Sequence, residues 1–344
     1  MISRTKWLWI STAVAALAAS ALAMAGYVVW ASKRPLSLTA QTFTVQPGKG
    51  TLQVGRELAT RGVIQEPYSF VLWARWKGYT HRIQAGEYRL RDGSRVRDLL
   101  EQMVRGEVVH YTVTLVEGWT FRQVRAALRQ APRLQAAVSE KKDSEIMMLL
   151  GKPELHPEGR FFPDTYVYSA TSSDLDILRA AFRSMHTRLT EAWAERADGL
   201  ELSNPAEALT LASIIEKETG VHGERGLIAG VFHNRLRRGM RLQTDPTVIY
   251  GLGDQFSGNL TRKHLRTDTP YNTYTRTGLP PTPIAMPGEE AIHAALHPES
   301  TAALYFVARG DGSHHFSETL GEHNRAVAKY QLRRQPPRRA GGNP

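Results

Sequence analysis

The chain has 344 residues, a formal net charge of +11, 42 % hydrophobic and 22 % charged residues, and no cysteine. That apolar content supplies a sizeable core and excludes disorder throughout. The absent thiols exclude disulfides, thiolate zinc centres, iron–sulfur clusters and a cysteine nucleophile, and the length leaves room for two domains.

From Trp7 to Trp30 the chain runs 24 residues without a charge, enough to cross a hydrocarbon core of about 30 Å. Trp7, Trp9, Tyr27 and Trp30 stand at the two ends, where amphipathic rings favour the membrane interface. Residues 1–6 read as a cytoplasmic N-terminus and 7–30 as a transmembrane helix. A cleaved signal peptide is the alternative, because Ala21-Leu22-Ala23 has the small-x-small form of a cleavage site. Apolar residues that continue to Trp30 favour the retained anchor. Either reading puts residues 35–344 outside the cytoplasm. Residues 1–34 hold four bases and no acid, so the outer part carries +7. A basic surface there suits an anionic partner, either lipid headgroups or an acidic wall polymer. No nucleic-acid motif appears, and nucleic acid is not expected as a partner.

The next segments predict an α+β fold. Three of them read as strand, Gly turn, amphipathic helix: Phe43-Thr44-Val45-Gln46-Pro47-Gly48 before 52–61, Tyr88-Arg89-Leu90-Arg91-Asp92-Gly93 before 96–104, and Val113-Thr114-Leu115-Val116-Glu117-Gly118 before 121–129. The unequal spacing of the glycines excludes a solenoid. This form resembles a LysM module, which binds N-acetylglucosamine polymers, and residues 31–110 are read as that subdomain. A plain structural α+β domain fits these residues equally well. Residues 111–332 then form a second, mixed α+β domain. Its 131–200 stretch predicts helix, broken at His156-Pro157-Glu158-Gly159-Arg160-Phe161-Phe162-Pro163-Asp164-Thr165-Tyr166. That break is either a sugar cleft, with aromatics beside a carboxylate, or a packed loop. Two helices over 204–240, ordered loops over 241–288, a helix at Glu289–Leu296 and a strand at 304–308 follow. Residues 333–344, rich in Arg, Pro and Gly, read as a disordered tail.

The helix from residue 204 concentrates the chemistry. Asn204 can cap it, Pro205 suits the first turn, and Glu207 can close a capping box. Gly220 stands where a helix would end. On a helical wheel Ala208, Leu211, Ile214 and Ile215 form one apolar face. Glu218 projects from that face, whereas Glu216 and Lys217 project away from it. A carboxyl on the core side is costly to ionise, so its pKa rises and a proton stays available near neutral pH. A general acid for a glycosidic oxygen needs that property. The alternative is a solvated helix end, or a pairing of Glu218 with an arginine such as Arg225.

Other constellations are weaker. His293 and His297 have a metal-capable spacing, but the zinc protease pattern needs Glu where Ala294 stands. His314, His315 and His323 near Glu318 and Glu322 read as solvated surface. No metal and no cofactor is expected. Serine acyl transfer and nucleotide motifs are absent.

Longer motifs carry a resemblance. Ala212-Ser213-Ile214-Ile215-Glu216-Lys217-Glu218-Thr219, Val231-Phe232-His233-Asn234-Arg235-Leu236 and Leu242-Gln243-Thr244-Asp245-Pro246-Thr247-Val248-Ile249-Tyr250-Gly251 resemble the YceG-like endolytic murein transglycosylases. Tyr271-Asn272-Thr273-Tyr274, Gly278-Leu279-Pro280-Pro281, Tyr305-Phe306-Val307-Ala308 and the Glu158–Thr165 motif extend the likeness over nearly the whole chain. The resemblance implies cleavage of the β-1,4 bond between N-acetylmuramic acid and N-acetylglucosamine inside peptidoglycan glycan strands, leaving 1,6-anhydromuramic ends. It implies anchoring in the bacterial cytoplasmic membrane, with the enzyme part on the outer or periplasmic side. It also implies termination of nascent strands beside peptidoglycan synthases, the penicillin-binding proteins. The family's catalytic glutamate falls on Glu218. Candidates for holding the sugars are Gln243, Thr244, Asp245, Tyr271, Asn272 and Tyr274, since amides and hydroxyls suit N-acetyl groups and Tyr faces suit pyranose rings. Asp245 could instead form a turn before Pro246. A lysozyme-like hydrolase using the same Glu, or a non-catalytic wall-binding scaffold, are the alternative functions.

Overall fold

The structure is a computed structural model and describes residues 4–37 and 41–332. The expected tail at 333–344 and the first three residues lie outside the described residues. The fold is mixed α+β, and it divides into two compact units.

The first unit comprises residues 1–112 with two short returns, 132–135 and 167–173. It begins with helix α1 (Arg4–Ser32), of which Trp7–Ser32 is long and apolar enough to cross a membrane. Strand β1 (Thr42–Val45), helices α2 (Thr51–Thr60) and α3 (Pro67–Trp76), strand β2 (Gly86–Arg89) and helix α4 (Val96–Arg105) follow, and strand β3 (His110–Thr114) begins here. β1 and β2 pair antiparallel, with Phe43 opposite Tyr88. Those two rings and Leu58, Phe70, Leu99, Leu100 and Met103 are fully buried, forming the unit's core. Burial selects one face of each helix: Val54 and Leu58 on α2, Leu99, Leu100 and Met103 on α4, at helical period. The last turns of α1 join this core through Val28, with Val29 packed against it.

The second unit holds the remaining residues. It contains helices α5 (Phe121–Gln130) and α6 (Asp143–Leu149), part of strand β4 (Thr165–Ser169), α7 (Asp174–Ala194), α8 (Pro205–Glu218), α9 (Arg225–Arg237), α10 (Asp245–Leu252), α11 (Arg262–Arg266) and α12 (Glu289–Leu296). Strands β5 (Tyr305–Ala308) and β6 (His314–Ser317) pair antiparallel, and α13 (Leu320–Val327) follows. β3 pairs with β4, and the division between units runs through both strands. In all three strand–turn–helix segments the turn glycine, Gly48, Gly93 or Gly118, is left-handed.

Helix α8 is the centre of the second unit. Every residue from Ala208 to Ile215 is buried, so the helix is enclosed on all sides rather than along one face. α7, α9 and α12 pack around it. Asn204 accepts the Glu207 N–H at 3.0 Å, and the Glu207 carboxylate accepts the Ser203 N–H at 2.7 Å. The reciprocal cap thus reaches one residue further back than the expected box. Gly220 does not end the helix: Thr219 turns extended (φ −142°, ψ 138°), and its hydroxyl accepts the Val221 N–H at 2.9 Å.

Two further expectations are corrected. Residues 241–288 are not all loop, since α10 occupies Asp245–Leu252 with Pro246 in its first turn. The 131–200 stretch is less helical than expected, because residues 131–142 are irregular and β4 intervenes.

Candidate active site

A cleft of about 460 Å³ lies in the second unit. Glu218, the last residue of α8, lies in its lining, beside the turn Gln243-Thr244-Asp245 that leads into α10. Tyr274 and Arg235 add to this side. β5 supplies Tyr305 through Ala308, β6 supplies His314, and Leu320, His323 and Val327 of α13 supply the facing wall.

Glu218 sits where its charged form is disfavoured. The Thr244 hydroxyl donates to its Oε1. Burial pushes its pKa above the ordinary carboxylate value, and the Asp245 carboxylate pushes it further the same way. The Thr244 bond, His314 and Arg235 act in the opposite sense. Its place at the C-terminal end of α8, the negative pole of the helix dipole, also disfavours the anion. The carboxyl that lines the cleft therefore has a raised pKa.

The surrounding turn is tightly determined. Gln243 is a non-glycine residue with φ +48°, a conformation that costs energy unless neighbours enforce it. They do: the Gln243 N–H donates to Thr273 O at 3.1 Å, and the Thr244 N–H donates to Thr273 Oγ1 at 3.1 Å. Thr247 Oγ1 meets Thr273 Oγ1 at 2.8 Å. Tyr274 donates its hydroxyl to Asp245 at 2.6 Å. Asp245 is therefore both the first residue of α10 and a group at the cleft.

The candidates thus separate. Glu218, Gln243, Thr244, Asp245 and Tyr274 come together around the cleft, while Tyr271 and Asn272 lie outside its lining. Asn272 is buried and donates its side-chain amide to the carbonyls of His264, Leu265 and Thr267. Its Oδ1 accepts the Tyr274 N–H at 2.9 Å, which positions Tyr274. Tyr271 packs edge-on against Tyr250 and meets Thr282 through its hydroxyl.

Glu216, which the wheel turns away from the apolar face, is nonetheless enclosed. Its side chain is 7 % exposed, 3.7 Å from Arg225, and accepts the Gly288 N–H at 3.0 Å. Arg225 also binds Glu290 at 2.8 Å. The arginine named as an alternative partner of Glu218 thus serves Glu216, which ties α8 to the starts of α9 and α12. Lys217 is exposed and donates to Gly118 O.

Three features were not foreseen. Arg235 is buried and donates to the carbonyls of Leu304 and Leu242. His314 pairs with Glu224, Nδ1 to Oε2 at 2.7 Å, and its N–H donates to the same carboxylate. Glu158 is buried and accepts the Phe121 N–H at 2.9 Å and the Tyr250 hydroxyl at 3.1 Å. Burial raises its pKa to about 7. Pro157 through Gly159 and Phe161 through Pro163 are buried as well, so the middle of the 156–166 segment is packed, while His156 and Arg160 line a second cleft. A Cβ on Gly159 would lie 2.4 Å from Pro283. Arg235 and Glu158 both stand within the quoted motifs, which was the available signal.

Among the described residues, no group of three or more His, Asp or Glu side chains could hold a metal ion. His293 and His297 stack ring on ring, and His297 Nε2 meets Glu195 O.

The sequence model of the YceG-like family matches residues 43–329. The chain belongs to the YceG-like family. It is 33 % identical over 315 residues to an endolytic murein transglycosylase of Bacillus subtilis, covering 86 % of each chain. It is 27 % identical to an endolytic murein transglycosylase of Streptococcus pneumoniae, covering 84 % of this chain and 58 % of that protein. The crystal structure of a yceG-like protein from Listeria monocytogenes superposes with a TM-score of 0.52 at 28 % identity, over 83 % of this chain and 97 % of that one. The family match spans both units, so the cleft and the α8 motif lie inside it.

Proposed function

We propose that this chain is a peptidoglycan lytic transglycosylase that cuts the MurNAc–GlcNAc β-1,4 bond within glycan strands. The observation that carries the reading is the half-buried Glu218 at the cleft, its pKa raised by burial, in a chain whose relatives bear that name. Glu218 gives its proton to the glycosidic oxygen as the bond to C1 breaks, and an oxocarbenium-like centre develops at C1. The muramyl C6 hydroxyl attacks C1 and returns its proton to the ionised Glu218, closing the 1,6-anhydro ring. One carboxyl serves both steps, so the two-carboxylate scheme of ordinary glycosidases is unnecessary. Gln243, Thr244, Asp245 and Tyr274 hold the sugar, and Asn272 and Tyr271 support that turn. Asp245 is occupied by the Tyr274 hydroxyl, which supports the lytic reading over one in which it activates water.

The rest of the chain fits this task. Helix α1 anchors the enzyme in the cytoplasmic membrane, with both units on the outer side. Its unbroken run into the core of the first unit supports an anchor over a cleaved leader. Residues 31–110 act as a LysM-like glycan-binding subdomain. The antiparallel β1–β2 pair enclosing two helices supports this. Residues 111–332 form the catalytic domain, acting on nascent strands beside the synthases.

The test is digestion of purified sacculi by the full chain and by Glu218→Gln, with products weighed by mass spectrometry. Internal fragments one water lighter than reducing ends, lost in the variant, are expected. Reducing ends instead would make the enzyme a hydrolase. Binding to sacculi without any product from the unaltered chain would leave only the scaffold.

A further inference from the structure

We propose that the outward face of α3 is a membrane-docking surface that lies on anionic lipid headgroups beside α1. The proposal rests on the reading of α1 as a bilayer span. Trp9 and Trp30 are 21 residues apart in one helix, about 31 Å at the helical rise of ~1.5 Å per residue. That places Tyr27 and Trp30 at the outer interface.

The first unit begins at that level with no linker. Val28 and Ala31 are 5 % and 3 % exposed and Val28 belongs to its core, whereas the helix before them is exposed. α3 starts at the same height. The Tyr27 hydroxyl donates to Glu66 Oε1 at 3.4 Å, and Glu66 is the N-cap of α3, accepting the Tyr68 and Ser69 N–H groups. Arg34 donates to Gln65, one residue earlier.

On α3 the buried residues Ser69, Phe70, Trp73 and Ala74 face the core. The other face carries Tyr68 and Trp76, each 62 % exposed. Eight positions apart on one helix, they share a side, with partly buried Leu72 between them. Large rings left this open mark a contact surface. Bases accompany them: Lys33, Arg34, Arg75 and Lys77, with Lys77 Nζ 6.0 Å from the Trp76 ring and Arg34 3.9 Å from the Trp30 ring. The nearby acid, Glu66, is consumed by capping α3. Aromatic rings flanked by bases, continuous with a bilayer span, match an anionic headgroup layer.

The absence of cysteine allows single labels in the full chain. Tyr68→Cys, Trp76→Cys, Leu17→Cys inside the span and Asp92→Cys on an exposed turn are each labelled with bimane. The labelled chains are reconstituted into phosphatidylglycerol–phosphatidylethanolamine vesicles. Labels at 68 and 76 are expected to shift to the blue, to be quenched by lipids brominated near the headgroup, and to lose quenching by aqueous iodide, while 92 stays open to iodide. Iodide quenching at 68 and 76 equal to that at 92, with 17 shielded, would overturn the docking surface and leave the anchor intact. If 17 is open as well, the span fails and the docking falls with it. Shielding at 76 that needs high protein density and shows no brominated-lipid quenching would assign the face to a second copy instead. Protection unchanged on phosphatidylcholine would overturn the anionic assignment.

Discussion

The Thr244 hydroxyl donates to Glu218 Oε1, joining the end of α8 to the turn before α10. This bond favours the anion against a burial that favours the acid. Thr244→Val removes the donor, so the Glu218 pKa rises further. Because Glu218 must enter the reaction protonated, the alkaline limb of kcat/KM on glycan strands moves to higher pH. The ionised intermediate loses its partner, so kcat falls about tenfold. An alkaline limb that moves down would refute the arrangement.

Asp245→Asn shifts the same limb the other way. The Asp245 carboxylate faces Glu218 and raises its pKa. Asparagine removes the charge and keeps an acceptor for the Tyr274 hydroxyl, so Glu218 ionises at lower pH. A pH–rate profile that moves upward, or not at all, would remove Asp245 from the electrostatics of the acid.

Glu216 and Glu218, two residues apart, separate stability from activity. Glu216→Gln removes a carboxylate that is 7 % exposed and lies 3.7 Å from the equally buried Arg225 guanidinium. Melting of the full chain is expected to fall by several degrees, about 2 kcal/mol. Glu218→Gln removes a carboxyl that burial penalises, so melting is unchanged or higher, while turnover drops about a thousandfold. Thermal scans and sacculus digestion on both variants check this crossing. A Glu216 variant that melts like the parent would contradict its assigned role.

Glu158 makes stability fall with rising pH. Its folded pKa is about 7 against an ordinary 4.5. The folded state therefore holds the extra proton between these values, and stability is lost as pH rises through them, by up to about 3 kcal/mol. Glu158→Gln keeps an acceptor for the Phe121 N–H and flattens this slope. Melting temperature measured across that pH range reads the difference directly. Parallel slopes in the two proteins would show that Glu158 does not titrate there.

Local signals made α8 legible: Asn204 and Pro205 mark its start, and the wheel separates Glu218 from its neighbours. The wheel says nothing of what Glu216 meets on its other side. Its environment is built by Arg225 and Gly288, which reach α8 only through tertiary packing. α10 was hidden because Pro246, Gly251 and Gly253 look like loop punctuation, although a proline in a first turn is a helix start. Tyr271 and Asn272 illustrate a further gap. Residue type suits them to sugar, yet packing spends one on Tyr250 and the other on backbone carbonyls that place Tyr274. Glu158 could not be read as buried, since the groups enclosing it come from α5 and α10.

Arg235 gives the cleft its gauge. One guanidinium reaches the carbonyl of Leu242, before the Glu218-bonding turn, and that of Leu304, before β5, while its carbon lies 5.4 Å from the Tyr305 ring. The two sides of the cleft are thus bridged from within by one side chain. Lysine, with one ammonium in place of a planar fork, cannot span both carbonyls. The width of the cleft is therefore written in the length and shape of a single side chain.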